Sequence, residues 1–218
     1  MEPLAISGRK NDALFVRLST QPLPAVHVYC QSDIEVVHGP SCREPGREID
    51  TARCAAGNVP VRLRRGGGGT VVLSPGMVII AAVGARHTGD TVHTVFSRIH
   101  RAIIGLVHET AGIELEEKGI SDLAVDNRKV LGSSLYLSNR PPLYCYQASL
   151  MVDSDLSLLS RFLRHPPREP GYREGRSHDM FCSTLTKCGC RLSCDEVADL
   201  LGKHVRNRLW KMTTIPRG

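Results

Sequence analysis

Aromatic residues are scarce: four Phe, five Tyr and one Trp make up 5% of the 218 residues. A base-stacking surface for nucleic acid has little to be built from, and the arginines are scattered rather than massed. No stretch approaches the roughly 18 consecutive apolar residues of a membrane span. The first residues lack the basic-then-apolar pattern of a secretory signal. A soluble, cytoplasmic protein is therefore expected, with neither nucleic acid nor membrane among its partners. Paired C-x2-C units are missing too, although there are eight cysteines. They show no regular spacing, and without a secretory signal a disulfide framework is implausible. Cys188, Cys190 and Cys194 with His178 or His204 amount to half a zinc site, so reduced thiols packed as small apolar groups are expected instead. No internal repeat is visible.

What is present suffices for a core. Hydrophobic residues make up 41% of the chain, and 218 residues fit one large domain or two small ones. The formal charge of +6 suits an anionic ligand or an acidic protein partner. The most informative stretch is Val61 to Leu73, where two β-prone runs flank Arg64-Arg65 and the glycines 66 to 69. It reads as strand, cationic turn, strand. Four glycines cost backbone entropy and pack nothing. They permit positive φ and a close approach of bare amides to an anion such as a phosphate, carboxylate or acyl phosphate. The alternative is a flexible hairpin tip.

Along the chain, Asn11 to Leu18 suits a short helix stopped by Gln21-Pro22-Leu23-Pro24. Val26 to Cys30 reads as a strand that turns at Ser32-Asp33 and returns over Ile34 to His38. Glu48 to Ala56 suits a helix with Ile49, Ala52 and Ala56 on one side and Gly57-Asn58 as a left-handed stop. Met77 to Val83 is apolar enough for a buried strand. From Asp90, a plausible N-cap, the period changes. Val92, Val95, Phe96, Ile99, Ile103, Leu106 and Val107 mark an amphipathic helix ending near Gly112. Two alternating strands meet at Asp126-Asn127, a hairpin turn. They set Asp122 on one strand and Lys129 on its neighbour, which reads either as the wall of a nucleotide pocket or as an ordinary cross-strand pair. Tyr144 to Asp153 is a further strand, and Asp153 to Leu163 opens a short helix. Residues 164 to 180 form the longest structureless loop, a functional lid or a disordered segment. Ser193 and Glu196 form a capping box for a last helix carrying Val197, Leu200, Leu201, Val205 and Leu209.

Taken in order, Arg64-Arg65 with the glycine run, Ser121-Asp122, Arg128-Lys129-Val130-Leu131-Gly132-Ser133, and a small-Ser-Leu strand before an Asp-Leu helix resemble the lipoate–protein ligase family. The likeness runs from about Val26 to the last helix and brings in the related octanoyltransferases and biotin–protein ligases. It implies an α+β fold, a mixed β-sheet flanked by helices as in the class II synthetase-like catalytic domain of biotin and lipoate ligases. It also implies a two-step reaction in which ATP and lipoate form lipoyl-adenylate before the acyl group passes to a lysine of a carrier.

Carried over by position, Lys129 is the catalytic lysine. Arg64, Gly67, Gly68 and Gly69 enclose the adenylate, Val71, Val72 and Leu73 lie by the adenine, and Asp122 sits near ATP phosphate and magnesium (Mg2+), as the metal-binding position. Val37, His38, Gly39, Gly132, Ser133, Ser134, Gln147, Ala148 and Ser149 line the lipoyl channel. The implied partner is a lipoyl carrier domain, either an E2 lipoyl domain or a glycine-cleavage H-like protein. The chain departs from the family pattern at Leu73-Ser74, where His-Asp is frequent, at Ser121 and at Gln147, where His is common. It reads as a single catalytic domain over residues 1 to 218 without a C-terminal accessory domain, which points to a bipartite ligase with a separate accessory subunit. The other readings are an ATP-independent octanoyl or lipoyl transferase, which needs a pocket thiolate and for which Cys188-Gly189 is a loose match, and a non-catalytic lipoyl-binding protein.

Overall fold

The computed structural model describes residues 9–214. The ends of the span read as one domain, residues 1–8 and 215–218, lie outside the described residues. In chain order the elements are α1 (Asp12–Ser19), β1 (Ala25–Cys30), β2 (Glu35–His38), α2 (Thr51–Ala56), β3 (Val61–Leu63), β4 (Val71–Leu73), β5 (Met77–Ala85) and α3 (Val92–Ala111). Then follow β6 (Glu116–Lys118), β7 (Asp122–Val125), β8 (Arg128–Asn139), β9 (Pro142–Met151), α4 (Ser157–Phe162), α5 (His178–Phe181) and α6 (Cys194–Thr214). Six strands form an antiparallel sheet in the order β1-β5-β9-β8-β7-β6, and β3-β2-β4 form a smaller one. Parallel pairing occurs between β2 and β3.

The large sheet divides the core. One face packs against α3 and α6, joining Val78, Ile80, Leu150 and Tyr146 to Ile99, Ile103, Leu201 and Val205. On the other face, Phe15 and Leu18 of α1 cover Ala81, Val83 and Cys145, while Met77, Ile79 and Met151 meet the small sheet and α4. Each fully buried aliphatic side chain contributes about 1.5 to 3 kcal/mol. Asp126 and Asn127 have φ of 47° and 58°, the left-handed pair that a two-residue hairpin needs to match strand twist. The capping box of α6 is formed, with Ser193 N–H donating to Glu196 Oε2 at 2.8 Å and Glu196 N–H to Ser193 Oγ at 3.3 Å.

Several local expectations are corrected. β2 does not return along β1; Val36 and Val37 are both buried, so this strand sits between layers instead of alternating at a surface. β3 and β4 are not a hairpin either, because β2 lies between them and the glycine loop crosses its end. In α2 the buried residue is Cys54, whereas Ala52 and Ala56 are exposed, and the left-handed stop is Asn58, φ 52°, not Gly57. Thr91 caps α3 through Thr94. Asp90 instead accepts from the His87 backbone and pairs with Arg98. All eight cysteines are free, and Cys42, Cys54, Cys145, Cys182 and Cys190 are buried.

Ile99 is 0% exposed and Val92 is 44% exposed on the same helix, although the periodicity places both on one apolar face. Ile99→Ala should cost about 2 to 5 kcal/mol in thermal or urea unfolding, and Val92→Ala should stay within about 0.5 kcal/mol.

Candidate active site

A cavity of about 560 Å³ lies between the α1-bearing face of the large sheet, the glycine loop and the segment 164–182. Both features singled out in the sequence reach it: Gly68 and Gly69 from the loop, and Lys129 from β8. The register explains how Lys129 gets there. β8 bulges at Val130, opposite the Leu123–Ala124 step of β7, so Asp122 faces Gly132 across the ladder while Lys129 faces Ala124. The lysine side chain then lies back along its own strand over Gly132. A Cβ added at 132 would stand 2.8 Å from Lys129 Nζ. The ammonium meets Asp122 Oδ1 at 2.8 Å, and Tyr172 O–H donates to Asp122 Oδ2 at 2.9 Å. Burial, reinforced by the Asp122 carboxylate, raises the Tyr172 pKa, which keeps its hydroxyl a donor. The Lys129 backbone is held from the far side, where Ser183 N–H donates to its carbonyl at 2.9 Å and Cys182 bridges to it.

The glycine loop is organised by Arg64. Its guanidinium, 4% exposed, donates to the carbonyls of Val37 at 3.2 Å, Gly67 at 2.9 Å and Gly69 at 2.7 Å. Burial lowers its pKa to about 10, with the Glu48 carboxylate opposing, so it is cationic at neutral pH. Gly68 has φ 97°. Two other glycines allow close approach of protein to protein, not to a ligand: a Cβ at Gly66 would meet Ser134 Oγ at 2.0 Å and one at Gly39 would meet Gly68 O at 2.3 Å.

Of the residues expected at the site, Arg64, Gly68, Gly69, Val71, Val72, Leu73, Asp122, Lys129, Gly132, Ser133, Ser134, Gln147, Ala148 and Ser149 line the cavity. Val37, His38 and Gly39, beneath the loop, and Gly67, within it, do not; the carbonyls of Val37, His38 and Gly67 take hydrogen bonds from Arg64. Sequence reading leaves out Asn11, Glu48, Met77 and Ile79, and gives residues 164 to 180 only as a functional lid or a disordered segment, without naming Arg173, Phe181 or Cys182. The segment's length was the available signal; nothing local marked Tyr172 as the residue that reaches Asp122. The loop is not structureless, since Gly171–Arg173 form a 3-10 turn and His178–Phe181 form α5. Cys188, the cysteine singled out for thiolate chemistry, is absent from the wall, whereas Cys182 is on it with its pKa raised by burial. Among the described residues no cluster of three His, Cys, Asp or Glu could hold a metal.

Behind the wall, His100 is 1% exposed and its Nε2 is 3.1 Å from Ser133 Oγ. Ser133 O–H donates to Ser121 O at 2.7 Å, so His100 is the donor in its own bond. Burial lowers its pKa to about 4, against the pull of Glu117 and Asp122.

The fold, an antiparallel sheet with two helices on one face, is shared by solved lipoate ligase structures. One is a bi-partite lipoate protein ligase from Thermoplasma acidophilum, described with its E2 lipoyl domain: 19% identity, 86% of this chain and 71% of that chain covered, TM-score 0.72. Lipoate-protein ligase A bound with ATP is 20% identical over 86% of this chain and 73% of its own, TM-score 0.70. LipL1 of P. falciparum in complex with lipoate is 15% identical over 89% and 52%, TM-score 0.69. At these identities the likeness is one of fold. No match is found among curated proteins. The family model for the lipoyl protein ligase A/B catalytic domain matches residues 11–206, and the chain belongs to that family.

Two outcomes follow from the geometry. The folded state keeps His100 neutral down to about pH 4, while the unfolded chain protonates it below its ordinary value of 6.5. Its contribution to stability is therefore complete above pH 6.5 and declines toward pH 4, by about 1 kcal/mol per pH unit. In unfolding titrations His100→Gln should flatten the pH dependence over that window relative to wild type. Tyr172→Phe removes one hydrogen bond of the segment to Asp122. Amide exchange over residues 169–176 should accelerate severalfold while α3 and β9 stay unchanged, as read by mass spectrometry.

Proposed function

We propose that the chain is the catalytic subunit of a lipoate–protein ligase, which activates lipoate with ATP to lipoyl-AMP and transfers the lipoyl group to a lysine of a lipoyl carrier domain. The observation that carries this is the convergence of Gly68, Gly69 and the Lys129 ammonium on one cavity. In the first step a lipoate carboxylate oxygen bonds to the α-phosphorus as the bond to pyrophosphate breaks. In the second the neutral amine of the carrier lysine bonds to the acyl carbon, AMP leaves with its oxygen, and the nitrogen sheds a proton. Negative charge grows on the phosphoryl oxygens in one step and on the acyl oxygen in the other. Lys129 is the cation for both, held ready by Asp122. Arg64 acts one layer back, fixing the loop carbonyls so that the amides of Gly68 and Gly69 can meet an anion.

Magnesium fits this donor set in the sparse way it binds nucleotides, through one carboxylate, Asp122, and the substrate phosphates. When bound it neutralises phosphate charge. Asp122 already serves Lys129 and Tyr172, and a carboxylate has lone pairs for a third partner. The lipoyl domain described with the bi-partite ligase supports a carrier of that kind, and that protein's two-part build supports a separate accessory subunit here.

A second reading, acyl transfer without ATP through a cysteine, has one observation in its favour: Cys182 lines the cavity near Lys129. Its thiol is pushed up by burial, the opposite of what a nucleophilic thiolate needs.

The chain is incubated with ATP, magnesium, lipoate and an E2 lipoyl domain, alone and with an accessory subunit, and the carrier is weighed by intact-mass spectrometry. ATP-dependent gain of one lipoyl group is expected. Lys129→Ala should lower the rate about a hundredfold or more, and Cys182→Ala should leave it within about threefold. Transfer from an acylated carrier without ATP, abolished by Cys182→Ala, would establish the second reading instead.

A further inference from the structure

One member of the buried stripe of α3 is a histidine. His100 sits beside Ile99 and near Ile103, both 0% exposed, with its ring stacked on Phe96 at 5.6 Å and edge-on to Tyr146 at 6.1 Å. An aliphatic residue would fill such a place at no polar cost, whereas a buried imidazole has to be hydrogen-bonded to be tolerated. Its Nδ1 is 3.8 Å from Glu117 Oε1, beyond hydrogen-bond reach, and Glu117 accepts from Ser97 Oγ on its other oxygen at 2.9 Å. Among the described residues the ring has one hydrogen-bond partner, Ser133 Oγ at 3.1 Å.

Ser133 in turn gives both of its polar hydrogens to a single atom. Its N–H donates to Ser121 O at 2.9 Å and its O–H to the same carbonyl at 2.7 Å. Ser121 is the residue before Asp122, where β7 begins, and the neighbouring pair in the ladder is Asp122 with Gly132. The extra residue of β8, Val130, lies close by on the same strand. Pairing beside a bulge has a competing register one residue away, and a slip of one residue turns every side chain of the strand to the opposite face. Such a slip would carry Asp122 away from Lys129 and out of the cavity. The Ser133 hydroxyl adds a second bond to the register that keeps it there, and His100 aims the hydroxyl. With its oxygen accepting from the imidazole, its hydrogen is left to point at Ser121.

We propose that His100 is a positioning residue for Lys129: through the Ser133 hydroxyl and the Ser121 carbonyl it fixes β7 on β8, so that the Asp122 carboxylate holds the lysine ammonium at the cavity. His100 itself is not on the cavity wall. Its bearing on turnover rests on the ligase reading above; its bearing on the ion pair does not. The role calls for an N–H at the place of Nε2. Burial keeps the imidazole neutral at ordinary pH, so a donor acts here and not a charge. A glutamine side chain can put its amide N–H at that point, and leucine has no donor to put there. The link from α3 to β8 to β7 also explains why a polar residue interrupts a stripe otherwise filled by Val95, Phe96, Ile99 and Ile103.

Two measurements on the whole chain test it. The first needs no substrate: the rate at which N-acetoxysuccinimide acetylates Lys129, read by peptide mass spectrometry against the exposed Lys203 of α6 as internal reference. An amine released from its carboxylate partner deprotonates and reacts more readily, so His100→Leu should speed acetylation of Lys129 about fivefold or more. His100→Gln should stay within about twofold of wild type, as should Ile99→Ala, which loosens α3 without removing the donor. The second is pyrophosphate release from ATP with lipoate, with the accessory subunit where required. His100→Leu should lower kcat about tenfold while both KM values stay within about threefold, and His100→Gln should restore kcat. Thermal unfolding checks that the variants fold, and Ser133→Ala, which keeps the backbone bond and loses the hydroxyl, carries the same acetylation expectation should His100→Leu not fold. Acetylation unmoved in folded His100→Leu, equal acceleration by Ile99→Ala, or failure of His100→Gln to restore the wild-type rate would overturn the proposal. Accelerated acetylation with kcat unmoved would overturn its bearing on turnover. If wild type releases no pyrophosphate, the ligase reading falls and acetylation alone decides whether His100 aims Lys129.

Discussion

The ion pair between Lys129 and Asp122 governs the site, and its geometry is a consequence of backbone irregularity, not of strand pairing. In a regular hairpin the two residues would fall on whatever face the alternation dictates. The extra residue of β8, Val130, shifts β8 against β7 so that Asp122 faces Gly132, and the bare Cα of Gly132 leaves room for the lysine to lie along the strand. Ser183 and Cys182 then fix the lysine backbone from outside. Asp122 is buried and Lys129 half-buried, so desolvation offsets much of the pair's Coulomb gain, and its value lies in aim and not in stability. It presents an ammonium to the cavity at a fixed position.

The same logic governs the glycine loop. A run of glycines has no preferred shape, and the shape comes from Arg64, which is buried under it and bonded to three backbone carbonyls. A buried guanidinium is tolerated because those carbonyls replace much of its hydration. The loop can therefore be both glycine-rich and ordered. Gly66 against Ser134 and Gly39 against Gly68 show that half of the value of small residues here is in packing protein against protein.

The third wall is segment 164–182, which comes from far along the chain and returns to the site. Tyr172 on Asp122, the rings of Tyr172 and Phe181 at 5.0 Å, and the Arg173 guanidinium 4.8 Å from the Phe181 centroid tie it down. Through Tyr172 the wall and the ion pair share one carboxylate. An occupant that competes for Asp122 acts on the wall as well. The cavity ends differ for a reason of layering: Met77 and Met151 meet the apolar small sheet and α4, whereas Gln147 meets the polar start of α1.

Short-range features were legible in the sequence because their causes are local. The helix over Val92–Ala111 follows from periodicity, the hairpin at Asp126-Asn127 from two residues that tolerate positive φ, the Ser193–Glu196 box from reach along one turn, and the kinship from the order of Arg64, the glycines and Lys129. Tertiary structure decided the rest. That β2 separates β3 from β4, that Val37 and His38 support the loop from below, that Tyr172 bonds to Asp122 and that Gln147 bonds to Asn11 all depend on contacts between residues far apart in the chain. No local propensity encodes such contacts. They are settled by which apolar faces bury one another and by where the remaining polar groups then find partners.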